Sequence, residues 1–86
     1  MITLIQAFRL CDIRKDEIVS LRVYQAGLSG RSVPVMPEKV RRVLDMKRIK
    51  VHKIDTRFGY DGDFLGFEFL VTGITEDALR KKLEWS

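Results

Sequence analysis

The residue types that carry most covalent and metal chemistry are nearly missing from this chain. Among 86 residues there is one cysteine, Cys11, and one histidine, His52. A lone cysteine excludes an intrachain disulfide, so stability must come from packing, which suits a reducing compartment. Cys11 and His52 are also the only candidates for a nucleophile and its base. Cys11 falls on the apolar side of a predicted helix, where a free thiol behaves as a small hydrophobe. Lys50 and Lys53 flank His52, and a dyad would need the two side chains in hydrogen-bond contact with an orienting third group. No metal-ligand spacing is present. Asp61 and Asp63 read as turn residues, because a hard cation wants six or more oxygens in a defined loop. Neither metal nor cofactor is expected. No apolar run approaches the ~20 residues that span a bilayer. The N-terminus lacks the basic region and small-residue cleavage site of a signal peptide. A cytoplasmic protein without a membrane partner is the expectation. A chain this short forms one domain with a thin core and little room for a cleft of ~300 Å³ or more, which points away from an enzyme.

Positive charge is plentiful and unevenly placed. Half of the sixteen Lys and Arg residues lie between Glu38 and Arg57: Lys39, Arg41, Arg42, Lys47, Arg48, Lys50, Lys53 and Arg57. Only Glu38, Asp45 and Asp55 stand among them, so this stretch is +5 in a chain of net +4. Such asymmetry sets up a lasting positive field over one part of the surface. Glu38–Arg42 and Arg41–Asp45 have the i,i+4 spacing of mutually neutralising helix pairs. Setting Arg41 and Arg42 aside leaves Lys39, Lys47, Arg48, Lys50, Lys53 and Arg57 as the candidate contacts for a polyanion.

Periodicity supplies the architecture. Thr3 and Gln6 have capping-box spacing, and Leu4, Ile5, Phe8 and Cys11 follow at helical intervals, predicting a helix over residues 3–11. After the charged connection Arg14-Lys15-Asp16-Glu17, the segment 18–25 alternates as a half-buried strand. Residues 26–34, with Gly27, Ser29, Gly30, Ser32 and Pro34, read as a loop. This loop faintly resembles the phosphate-binding loop, but Gln25 and Arg31 replace the first Gly and the Lys, so it is read as a flexible loop. Leu28 and Arg31 are its candidate anchors for a partner's pocket. Pro37 opens a second helix that ends near Met46. Residues 49–72 form a hairpin with a bulge near His52–Lys53 and an Asp61-Gly62 turn. Phe67 and Phe69 alternate as the aromatics of an RNA-recognition strand do. Leu65, Glu68 and Thr72 depart from that pattern, so both rings are read as core. Thr75 caps a last helix whose acids precede its bases, with Leu79, Leu83 and Trp85 on its buried side.

The expected fold is therefore a single small α+β domain over residues 1–86. Its order is α-β-α-β-β-α, with a three-stranded, mostly antiparallel sheet packed on helices. The expected function is non-enzymatic binding of nucleic acid or nucleoprotein through the basic face at 39–57. The alternative is a protein–protein inhibitor or adaptor that docks on an acidic protein surface, or that pairs through exposed apolar anchors such as Leu28 and Tyr60. A phage or mobile-element protein that blocks a CRISPR-type defence complex would be of this kind, on base rates alone. The two sheet edges leave homodimerisation open.

Overall fold

The computed structural model describes residues 1–14 and 17–84. Trp85, and Lys15 and Asp16 of the charged connection, lie outside the described residues. Strand β1 (Ile2–Thr3) leads directly into helix α1 (Leu4–Cys11). Thr3 closes the anticipated capping box: Gln6 N donates to Thr3 Oγ1 at 3.3 Å and Thr3 N donates to Gln6 Oε1 at 2.9 Å. Two backbone donors at the helix start are thereby satisfied. Thr3→Ala removes one half of the box and is expected to cost about 1 kcal/mol, read as a lower urea midpoint with unchanged m-value. Leu4 and Ala7 are buried and Phe8 and Cys11 half-buried, whereas Ile5, expected inward, is exposed.

The sheet has five strands where three were expected, and it is mixed. Strands β2 (Ile18–Gln25), β3 (Leu28–Val35), β4 (Lys50–Phe58) and β5 (Phe64–Thr72) join β1 in the order β1-β4-β5-β2-β3. The central β2–β5 pair is parallel and the others are antiparallel. The segment 26–34 is therefore a turn and an edge strand. Ala26 and Gly27 both have positive φ (53° and 80°), as a two-residue type I′ hairpin requires. Turn-forming residues hide the strand because an edge position tolerates them. Pro34 needs no outer hydrogen bond there. Gly30 and Arg31 form a bulge opposite Val23, since Tyr24 pairs Ser29 and Arg22 pairs Ser32. Glu76 Oε1 accepts from Arg31 N at 2.8 Å, so the bulge is tied to the last helix. Proline, bulge and side-chain cover all work against another strand adding to this edge.

The second helix is shorter than expected. A 3₁₀ turn (Pro37–Lys39) precedes α2 (Val40–Leu44), and Asp45 is only its C-cap. Helix α3 spans Glu76–Glu84, and Ala78 N donates to Thr75 Oγ1 at 3.1 Å.

Alternation sorts the side chains. Val19, Leu21 and Val23 of β2, Val33 and Val35 of β3, Val51 of β4, and Phe69 and Val71 of β5 are buried. Leu4 and Ala7 of α1, Val43 of α2, and Leu79 and Leu83 of α3 belong to the same core cluster. Phe69 is fully buried, with Phe8 edge-on at 5.6 Å between ring centroids, and Phe67 is half-buried beside it. All three helices serve this one face. Among the described residues, no helix covers the opposite face of the sheet, which carries Arg22, Lys53, Arg57 and Leu70.

Candidate functional site

A bulge in β4 builds the open face. Val51 pairs with Val71 and Ile54 with Phe69, both on the core side, while the register slips between Val51 and Lys53. The slip returns alternation to phase after His52, so Lys53, Asp55 and Arg57 project from the open face, as Lys50 does before it. Opposite them stand Leu70, Glu68, Gly66 and Thr72 respectively. Arg22 of β2 joins from the other side of β5, beside Leu70.

Glu68 occupies the middle of this face and is buried to 7 % exposure. Its Oε1 lies 3.2 Å from Arg22 Nε, an ion-pair contact without the alignment of a hydrogen bond. Its Oε2 accepts from Ser32 Oγ at 2.7 Å and from Arg57 Nη1 at 3.3 Å. Burial pushes the Glu68 carboxyl up. The Ser32 hydroxyl and the Arg22 and Arg57 guanidiniums outweigh it, and the net result lies below the usual glutamate range. Asp55 faces Glu68 across the strands and has its own counterion, Lys53 Nζ at 3.6 Å. Tyr24 and His52 meet toward one end of the face with their rings tilted at 53° and centroids 5.8 Å apart.

Five of the six expected cations follow one line. Lys47 and Arg48 are exposed in the turn that leads into β4, and Lys50, Lys53 and Arg57 continue along that strand. Lys53 and Arg57 each face a carboxylate, whereas Lys47, Arg48 and Lys50 have no ion-pair partner among the described residues. Lys39 stands apart. It sits half-buried in a depression with Pro34 and Met36 next to β3, at the far edge of the sheet from β4. Three strand spacings, ~14 Å, separate β3 from β4. Leu28 and Arg31 are both exposed on β3, with Leu28 next to the β2–β3 turn.

Arg22 was missed because it is an isolated base in an alternating strand, and only the parallel pairing of β2 with β5 brings it to Glu68. The neutralisation expected for Arg41 and Arg42 also fails: neither residue is in an ion pair with another described residue. Glu38 belongs to the 3₁₀ turn before α2 and Asp45 is the helix C-cap, so both carboxylates sit at the ends of the helix rather than along it.

Cys11 and His52 do not meet. Cys11 shares a depression with Asp12, Arg14, Glu17 and Phe64, at the turn end of the β4–β5 hairpin. His52 lies toward the other end, against Tyr24. Burial, and then the Glu17 charge, push the Cys11 thiol up, so little thiolate exists near neutrality. Asp61 Oδ1 accepts from Asp63 N at 3.1 Å, which is turn chemistry. No helix among the described residues is long and apolar enough to cross a membrane.

No family model, curated protein or solved structure matches this chain. The class that fold and site define is a small α+β domain with an uncovered, cation-bearing sheet face.

Proposed function

We propose that this chain is a non-enzymatic binding module that holds a polyanion, nucleic acid or nucleoprotein, along Lys47, Arg48 and Lys50 and the open face that continues through Lys53, Arg57 and Arg22. The observation that carries the reading is the coincidence of two features on β4. No helix among the described residues covers its outer face, and the cations at its start have no described carboxylate to satisfy them. Phosphates bound there would be positioned by charge, with no base read. Lys39 drops out of the contact set on its location.

Fluorescence anisotropy with a single-stranded oligonucleotide of about 20 nucleotides tests the reading. With three to five phosphate contacts, the plot of log K against log salt is expected to fall with a slope of about −2 to −3.5. Lys50→Ala is expected to weaken binding equally for unrelated sequences and to flatten that slope by about one unit. Affinity that stays constant as salt rises would sink the proposal.

A second reading has its own observation. Phe58, Tyr60, Phe64 and Leu65 are exposed around the β4–β5 turn, where Phe58 and Phe64 pack edge-on at 5.6 Å. Exposed aromatics in one place suit a protein partner, as an inhibitor or adaptor would need. Leu28 and Tyr60 belong to turns at opposite ends of the sheet, so a single small pocket would not take both. A protein retained from lysate after nuclease treatment, and lost from the Tyr60→Ala variant, would favour this reading over the first.

A further inference from the structure

We infer that the cleft between α2 and α3 is a separate docking site for an acidic, amphipathic polypeptide segment. Arg41 and Arg42 come from α2 and Lys81 and Lys82 from α3, and all four line one open cleft of ≈ 780 Å³ with Asp45, Met46 and Ala78. Among the described residues Asp45 is the only carboxylate on its wall, and none of the four cations is ion-paired to another of them. Arg42 Nη1 donates to the Lys82 carbonyl at 3.5 Å, which links the two helices where α3 nears its end. Folding thus gathers four like charges from segments forty residues apart. Like charges lining a cleft repel one another and focus a field that an anion relieves.

The floor decides which anion. Met46 and Ala78 are half-buried and apolar, and Met is an adaptable contact surface. A ligand that matches this site has apolar side chains at its centre and carboxylates at its rim, which describes an acidic amphipathic segment laid between helices. A bare phosphate backbone would meet the cations and leave the floor unused. The cleft belongs to the helical layer, on the side of the molecule away from the open sheet face, so it does not depend on the function proposed above.

The test is a ¹⁵N NMR titration of the whole chain at about 50 mM salt, where surface charge is only partly screened. One probe is a Glu-rich peptide of about 16 residues with Leu at every third or fourth position; the other has each Leu replaced by Gln. Shifts are expected at Arg41, Met46, Ala78 and Lys81, with the Leu peptide binding about tenfold more tightly. Two double variants remove the same net charge in different places. Arg41→Gln with Lys81→Gln is expected to weaken the peptide about tenfold, and Lys47→Gln with Lys50→Gln by no more than about twofold. Equal weakening by both variants, equal binding of both peptides, or peptide shifts on the open face would each overturn the inference. All four substituted side chains are exposed or nearly so, and the titration of the unsubstituted chain stands even if a variant fails to fold. Oligonucleotide affinity is measured on the unsubstituted chain under the same conditions. Its absence would overturn the open-face proposal and leave the peptide result readable.

Discussion

Gly66→Ala is expected to cost this domain about 3 kcal/mol or more, a large share of the ~4–13 kcal/mol that a chain of this length possesses. Gly66 is buried at φ +152° and pairs with Ile18 where the central parallel strands meet. A Cβ built there falls 1.8 Å from the Ile18 carbonyl oxygen and 2.6 Å from the Ile18 nitrogen. Both are backbone atoms held by the sheet, so relief would require β2 and β5 to part. Gly27→Ala is the matched control, with φ +80° and nothing within 4 Å of the added carbon. It should show backbone strain alone, about 1 kcal/mol. At ~4–8 °C per kcal/mol for a domain of this size, the melting temperature should drop by ~12 °C or more for Gly66→Ala and by a few degrees for Gly27→Ala. Equal drops would mean that the two backbones do not approach as described.

Glu68→Gln should move stability and binding in opposite directions. The amide keeps the volume and can still meet Ser32, but it loses the charge that holds Arg22 and Arg57. A loss of about 1–2 kcal/mol at neutral pH is expected. This is less than for a fully buried pair, because Arg22 and Arg57 side chains are 35 % and 55 % exposed. The pH dependence gives the sign. The folded carboxyl lies below its unfolded range, so its contribution is complete above the unfolded pKa and disappears as pH falls through the folded one. The parent should therefore lose stability on acidification below about pH 5, and the variant should lose less over the same range. Some slope will persist, because Asp61 and Glu76 are also held low, Asp61 by its hydrogen bonds from Asp63 and Glu76 by the Arg31 amide and then Arg80. Oligonucleotide affinity should rise severalfold at low salt with a steeper salt slope, since two guanidiniums are released to phosphate. A variant that binds more weakly would show that Glu68 serves the contact directly.

The clearest sequence signals were local. The Thr3–Gln6 box, the acid-then-base order of α3 and the Asp61-Gly62 turn each involve residues a few positions apart. The bulge at His52–Lys53 was legible because the apolar phase of β4 visibly slips, and only an extra residue keeps Val51 and Ile54 on one face. Strand β3 was illegible because glycine, serine and proline dominate it, and an edge strand with a bulge tolerates what a central strand would not. Strand β1 is two residues long and has no period to detect.

The candidate site divides along the same line. Composition alone located a cationic stretch, and the alternation of β4 predicted that much of it would share a face. The Arg57 charge is compensated by Glu68, eleven residues away, and Arg22 reaches the same carboxylate from another strand. Arg41 and Arg42, expected to be neutral within their own helix, instead join Lys81 and Lys82. Chain chemistry by itself determined which segments are helical caps, which alternate, and where positive charge is dense, because those properties depend on neighbours within a turn or two. Only the tertiary structure decided strand order and which cations keep their charge exposed, because an ion pair or a cleft depends on register between distant segments.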